Sequence, residues 1–447
     1  LARLLSNSDY GLMGMLAVFT AVAGALQESG FTSAIANLEN PTDNDYNSVF
    51  WFSTIVSWCS YIVLFFSAPL IADFFHHPEL IDLSRFLFVS LLFSAIGTAP
   101  TAYLFKNIMV KETTILRVSS LVVSGIVGIV LALQGYGYWS LAWQQVLYIT
   151  LTSLGRFFLI PWRPSLKIDF APVRRMFSFS YKILVTTVVN VVSQNLLTFI
   201  FGRLYTANAV GNFSQAFKWD TMASTMVSGT TSQVAQPILV EVKAERERQV
   251  LVFRKMLRFT AFLAFPAMFG LGMVAYEFII VFITDKWIDS VPLLCILCIS
   301  GAFLPFYTLY QNLMISRGKS DVYLWVTTSL IAVQLLLVLL CHSKGMVFMV
   351  SAYTVATVLW LFVWQYFAHR EISLRLWDVL LDIVPYMLVS AAVMTAVYMA
   401  TGSINNLIVL LLVRIGLAVV AYFIVMKLLG SKMLDECIGY LRRKKQK

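Results

Sequence analysis

Long apolar runs separated by short polar connections fill the chain from end to end. Reading runs against interruptions gives thirteen candidate spans, at 10–37, 47–75, 83–105, 113–134, 138–161, 177–203, 209–240, 251–283, 291–316, 322–341, 345–368, 379–401 and 405–429. Each reaches the about 20 residues that a membrane-crossing helix requires. The runs lack the period-two alternation of barrel strands, and many carry the Gly, Ala, Ser and Thr that let helices approach closely in lipid. The pattern predicts an all-α, polytopic membrane protein.

Composition and charge sharpen this. Of 447 residues, 59% are hydrophobic and only 13% charged, against roughly a quarter charged in soluble domains. A net charge of +10 would suggest nucleic acid in a soluble protein, but here it reads as topology. Lys106, Lys111 and Arg117 fall on one connection, and Arg156, Arg163, Lys167, Arg174, Arg175 and Lys182 on the next alternate one. Lys243, Arg246, Arg248, Arg254, Lys255 and Arg258 follow, then Arg317 with Lys319, Arg370 with Arg375, and a basic tail. All lie on one side, which is therefore cytoplasmic. The link from Leu38 to Tyr46 is the exception, with Glu39, Asp43 and Asp45 and no base. No nucleic-acid partner is expected.

A repeat at an offset of 200 relates Arg3-Leu4 to Arg203-Leu204 and Gly11 to Gly211. Six spans separate the copies, which predicts two parallel six-helix lobes related about the membrane normal. The expected division is an N-terminal lobe at 1–175, a C-terminal lobe at 176–370, two further helices at 371–430, and a basic cytoplasmic tail at 431–447. By the same repeat, Leu1 to Leu5 ends a helix equivalent to 177–203. The native protein is then expected to have fourteen spans, with most of the first missing here and both ends cytoplasmic.

Ionisable and polar groups inside spans mark candidate sites. On the run 209–240, Gln215, Lys218, Met222, Thr225, Gly229, Ser232 and Gln236 recur at three- and four-residue steps, forming one polar face. Lys218 lies about 12 Å below the outer helix end, where a lysine either holds a phosphate as a point charge or snorkels and pairs structurally. Asp220 points about 200° away from it, so it pairs with a neighbouring helix or carries a coupling ion. Thr186, Asn190, Gln194 and Thr198 form a second polar face, lining a lumen or bonding helix to helix. Thr20, Gly24 and Gln27 make a weaker stripe, beside which Glu28 is either an ion-coupling carboxylate or a helix-end residue. Arg3 and Arg203 end equivalent helices at the outer interface, where they anchor or contact lipid headgroups. Arg414 is mid-span, and either lines a groove for a lipid headgroup or binds a neighbouring helix. The chain has no glycine-rich nucleotide loop, no His-Glu-x-x-His and no nucleophile triad. Cys295 and Cys298 have C-x-x-C spacing inside an apolar run and read as packing residues. No cofactor, metal or catalytic residue is expected.

Several ordered segments carry a resemblance: Leu1-Ala-Arg-Leu-Leu-Ser, Asp9-Tyr-Gly11, Glu28-Ser-Gly-Phe-Thr-Ser-Ala-Ile35, and Ala68-Pro-Leu-Ile-Ala-Asp-Phe-Phe75 with Pro78-Glu-Leu80. Ser124-Gly-Ile-Val-Gly128, Gly135-Tyr-Gly-Tyr-Trp139 and Gly211-Asn-Phe-Ser-Gln-Ala-Phe-Lys218 extend it to about Asp321; beyond that, only hydropathy agrees. The chain resembles polysaccharide flippases of the multidrug/oligosaccharidyl-lipid/polysaccharide exporter superfamily, of the colanic-acid-exporter type. The resemblance implies a bacterial inner-membrane transporter, C-terminus cytoplasmic. It would flip undecaprenyl-pyrophosphate-linked oligosaccharide to the periplasmic leaflet for lipopolysaccharide, capsule or exopolysaccharide export. It implies alternating access without covalent chemistry, in a monomer that works with polysaccharide assembly proteins and membrane lipids. Lys218 matches a position where the family often carries Arg or Lys, while Trp219-Asp220 departs from its pattern. Two alternatives stand beside this reading: an antiporter for drugs or cations in the same superfamily, and a membrane-bound polysaccharide polymerase or glycosyltransferase. The last usually needs a long loop, and the longest connection here is roughly 15 residues, Trp162 to Met176.

Overall fold

The computed structural model describes residues 1–436 apart from Ser29, Lys167, Lys243, Ala244 and Lys432. It leaves aside the side chains at 36, 37, 178, 179, 182, 230–234, 236, 237, 240 and 320. Ser232, Gln236 and the tail beyond residue 436 thus lie outside the described residues. Every regular element is helical. The first nine helices are α1 (Asn7–Glu28), α2 (Phe31–Asn37), α3 (Asp43–Phe75), α4 (Leu80–Ile96), α5 (Thr98–Lys106), α6 (Val110–Leu133), α7 (Tyr138–Leu159), α8 (Ala171–Leu204) and α9 (Ala207–Glu241). They are followed by α10 (Arg246–Met273), α11 (Ala275–Phe282), α12 (Ser290–Gly301), α13 (Leu304–Ser316), α14 (Ser320–Cys341), α15 (Met346–Ile372), α16 (Leu376–Ala400) and α17 (Leu407–Leu428). Among the described residues, ten helical stretches are long and apolar enough to cross a membrane, or eleven with the bent pair α4–α5. The runs at 138–161 and 209–240 form helices of 22 and 35 residues, α7 and α9, but lie outside that set.

Packing gathers the chain into two compact units, Leu1–Ser214 and Gln215–Lys447. This partition follows contact and places its boundary inside α9, whereas a division at 175/176 follows span counting. In the first unit α3 lies along α4, α4 along α7, α7 along α6, and α1 along α8. At one end Phe31, Ile35, Tyr46, Val49, Trp162 and Met176 form a closed apolar cluster. In the second unit α10 lies along α16, α12 against both α10 and α15, and α17 against α11 and α16.

Four of the predicted runs are interrupted among the described residues, that at 251–283 at Val274, between α10 and α11. The first run breaks at Gly30, whose φ of +70° and lack of side-chain room (a Cβ would lie 2.9 Å from Ser180 O) admit only glycine comfortably. The run at 83–105 bends by 45° at Gly97, and that at 291–316 breaks between Gly301 and Leu304. The acidic link before α3 also finds its reason. Thr42 and Asp45 form a capping box, with Thr42 N–H donating to Asp45 Oδ2 at 2.8 Å. The other oxygen of Asp45 receives Arg175 Nη2 at 2.7 Å, so this acid of the link is matched by a base at the start of α8.

Gly11 and Gly211 meet in a reciprocal contact within the first unit. A Cβ on Gly11 would lie 1.8 Å from Ala207 O, and one on Gly211 would lie 1.8 Å from Asn7 O. Asn7 Nδ2 donates to Asn212 Oδ1 across the same crossing, at 2.7 Å. Two helices meet here backbone to backbone, which only small residues permit. Gly24, on the same helix, has nothing within 4 Å of its Cβ position. Gly11→Ala should therefore destabilise by about 1–3 kcal/mol, despite alanine's better helix propensity, while Gly24→Ala should be neutral or stabilising. Thermal unfolding in detergent micelles checks this; equal midpoints for the two variants would remove the close crossing as a stabilising contact.

Candidate functional site

α9 separates its charges onto opposite faces. Lys218, Met222 and Thr225 are exposed, whereas Asp220 and Ser224 are buried at 2% and 3%. Lys218 has no carboxylate within ion-pair distance among the described residues. Gln215, one turn before it, is buried, and its Nε2 lacks a hydrogen-bond acceptor. The polar face drawn from Gln215 through Thr225 is therefore exposed from Lys218 onward and closed at Gln215.

Asp220, in the second unit, packs against the break in the run 291–316. A Cβ on Gly301 would lie 2.2 Å from Asp220 Oδ1, and that oxygen has no hydrogen-bond donor. No Lys or Arg pairs with Asp220 among the described residues. It packs on a neighbouring helix without a counter-charge there. Beside it runs a polar network: Ser300 Oγ lies 3.4 Å from Thr354 Oγ1, Gln334 Nε2 donates to Thr357 Oγ1 at 3.1 Å, and Tyr307 donates to Thr357 O.

In the first unit the candidate residues scatter by environment. Gln194 is exposed, Asn190 is half-buried, and Thr198 is buried with its methyl against Gly14. Gln27, 2% exposed, donates to Thr98 Oγ1 at 2.5 Å, joining the break at Gly30 to the break at Gly97. As drawn, it ties α1 to α5; it reaches a substrate only if that bond opens. Glu28 is the exposed last residue of α1. Arg203 donates to Phe74 O at 2.7 Å, hydrogen-bonds His76 and lies 5.3 Å over the Phe74 ring, which engages it with the end of α3. Arg3 is exposed in a turn closed by Leu4 N–H to Leu1 O at 2.8 Å.

For Arg414 the geometry selects helix binding over a lipid groove. It is 4% exposed, donates to Glu277 Oε1 at 2.6 Å and to Thr401 Oγ1 at 3.0 Å, and sits 4.2 Å over the Tyr398 ring. Sequence reasoning missed Glu277, although an acid inside the run 251–283 and a base inside 405–429 are the natural pair. It also counted Arg156 as loop charge. Arg156 is a half-buried member of α7 that donates to Thr101 Oγ1 at 3.1 Å, while its Nε has no acceptor. The C-x-x-C cysteines are packing groups, with Cys298 buried and Cys295 donating to Gly272 O at 3.4 Å.

The described residues form an all-helical fold with interrupted spans and charged side chains within them. It is similar to that of the lipid II flippase MurJ in its inward closed conformation, with a TM-score of 0.74 and 16% identity, covering 94% of this chain and 93% of that one. An inward-facing multidrug resistance MATE transporter of the MOP superfamily gives a TM-score of 0.61 at 14% identity, covering 90% and 93%. In sequence, residues 1–292 match the family described as polysaccharide biosynthesis protein, and the chain belongs to that family. The lipopolysaccharide biosynthesis protein WzxC of Escherichia coli (strain K12) is 23% identical over 329 residues, which cover 72% of this chain and 66% of that protein. The teichuronic acid biosynthesis protein TuaB of Bacillus subtilis (strain 168) is 24% identical over 77% of this chain and 70% of its own. The succinoglycan biosynthesis transport protein ExoT of Rhizobium meliloti (strain 1021) is 21% identical over 73% and 66%. The chain thus spans about two thirds of the length of these relatives.

Breaking the buried pair on one side should be costly. Arg414→Met leaves the Glu277 carboxylate buried alone and should destabilise by about 3–5 kcal/mol. Arg414→Met with Glu277→Met should recover most of that loss. Thermal unfolding of the three proteins decides; a double variant no better than the single one would refute the pairing argument.

Proposed function

We propose that the protein flips undecaprenyl-pyrophosphate-linked oligosaccharide from the cytoplasmic to the periplasmic leaflet, supplying lipopolysaccharide, capsule or exopolysaccharide assembly. The observation that carries this is Lys218, an exposed cation on α9, within the run 209–240 read from the sequence as a span, with no carboxylate at ion-pair distance among the described residues. A charged headgroup cannot cross hydrocarbon unaided, and an intramembrane ammonium offers a phosphate the charge that it loses with its hydration shell. Thr225, exposed on the same helix, offers a partner to a sugar hydroxyl, and on α8 exposed Gln194 and half-buried Asn190 are of the same chemistry. The names of WzxC, TuaB and ExoT, and the fold shared with a lipid II flippase, support the same class of cargo.

The cycle is alternating access between lobes at 1–175 and 176–370, in the inner membrane, with the basic side and the C-terminus in the cytoplasm. The transporter works as a monomer alongside polysaccharide assembly proteins. Asp220 supplies the coupling carboxylate: a buried acid without a counter-charge takes a proton or a monovalent cation more readily than it stays bare. That feature also suits a cation-coupled antiporter, the second reading.

In a strain lacking its own flippase, expression of the protein should restore surface polysaccharide. Lys218→Ala should reduce export at least ten-fold, while Lys344→Ala, in a turn, should leave it intact. Membrane-inserted protein that restores no glycan type counts against a flippase, and full export by Lys218→Ala removes Lys218 from the site. Asp220→Asn should stop net export yet preserve folding; an unimpaired Asp220→Asn protein would end the coupling role.

A further inference from the structure

Outside these sites, the first unit carries a trough of about 830 Å³ between α3 and the start of α8. Its walls are Phe52 and Ile55 of α3, Phe170, and Val173, Phe177 and Tyr181 of α8, with Arg174 as the charged member. Phe177 and Tyr181 stack with ring centroids 6.2 Å apart, and both are exposed. The neighbouring Arg175 is committed to Asp45, whereas Arg174 has no carboxylate within ion-pair distance among the described residues.

Helix length sets the depth of this trough. α3 and α8 have 33 and 34 residues, or about 50 Å each at 1.5 Å per residue, against a hydrocarbon core of about 30 Å. Centred in the bilayer, each extends about 10 Å, or six to seven residues, beyond the hydrocarbon on either side. On the basic, cytoplasmic side this places Arg174 at headgroup level. Phe177 then falls at the boundary, and Tyr181, Phe52 and Ile55 fall within the acyl region. The trough therefore runs from a cation in the headgroup layer to aromatic walls among the chains.

We propose that this trough is a binding site for an anionic phospholipid of the cytoplasmic leaflet, its phosphate on Arg174 and an acyl chain along the aromatic wall. The charge count favours a phospholipid over the diphosphate-bearing substrate. One unpaired guanidinium matches one phosphodiester, and the second arginine of the pair is already neutralised by Asp45. The single cation also sets the scale: one basic residue near an anionic surface contributes about a five-fold preference.

The test counts lipids retained by the purified chain in native mass spectrometry, during titration with phosphatidylglycerol or phosphatidylcholine. The expected result is one phosphatidylglycerol per chain, held about five-fold more tightly than phosphatidylcholine. Arg174→Ala and Arg174→Gln should abolish that preference, and Arg174→Lys should keep it. Arg163→Ala, which removes a cation of the same connection that stacks on Phe157, should not alter it. Phe177→Ala should weaken both lipids. Equal retention of the two lipids by the unsubstituted protein overturns the proposal, as does a preference that survives in Arg174→Ala. Displacement of phosphatidylglycerol by equimolar undecaprenyl pyrophosphate, lost in Arg174→Ala, would assign the trough to the substrate instead. Since no arm measures export, failure here leaves the flippase reading standing.

Discussion

Hydrocarbon offers a peptide group no hydrogen-bond partner, so every backbone N–H and C=O at membrane depth must be satisfied by the chain itself. That constraint produces the long uninterrupted helices here, and it also explains what happens where they stop. At the Gly97 bend, the Gly97 carbonyl keeps the helical bond from the Thr101 amide and also accepts Thr101 Oγ1 at 2.6 Å. Gln27, at the end of α1, reaches Thr98 on the far side of that break, and Arg156 joins through Thr101. In the second unit, the break after Gly301 lies beside Ser300, Thr354 and Asp220. Interruptions and polar side chains occur together because each makes the other tolerable in lipid.

The same medium acts on charges, at a higher cost. An isolated ion in hydrocarbon is so unfavourable that ionisable groups in spans must pair, reach water, or serve a ligand. Pairing accounts for most of those in the second unit. Arg414 of α17 meets Glu277 of α11, and Arg254 of α10 meets Asp382 and Asp378 of α16, with nitrogen–oxygen distances of 2.6 Å and 3.1 Å. Tyr422 of α17 adds a hydrogen bond to Phe262 O at 3.0 Å. These contacts fix α16 and α17 to α10 and α11 at several levels, which makes the last two helices part of the second unit's packing.

Much of this was legible in the chain itself, for identifiable reasons. Span positions follow from runs that only hydrocarbon tolerates, so the apolar runs coincide with helices even where α1–α2, α4–α5, α10–α11 and α12–α13 divide them. The equivalence of Gly11 and Gly211 was legible because a backbone crossing forbids any larger residue at both copies. Partners were not legible. Arg414 looked solitary because Glu277 lies 137 positions away, and one-dimensional spacing carries no information on which distant helices touch. Burial was misjudged for the same reason: a three- and four-residue stripe placed Gln215 with Lys218, but only packing reveals that one is closed and the other open.

Two ionisable groups of α9, Lys218 and Asp220, have no ion-pair partner among the described residues. The boundary between the compact units falls at Ser214/Gln215, inside α9, and Lys218 and Asp220 stand within the next two turns. Lys218 is exposed, and Asp220 is buried against Gly301. Charging or neutralising either one changes the electrostatic cost of α9 keeping its present setting.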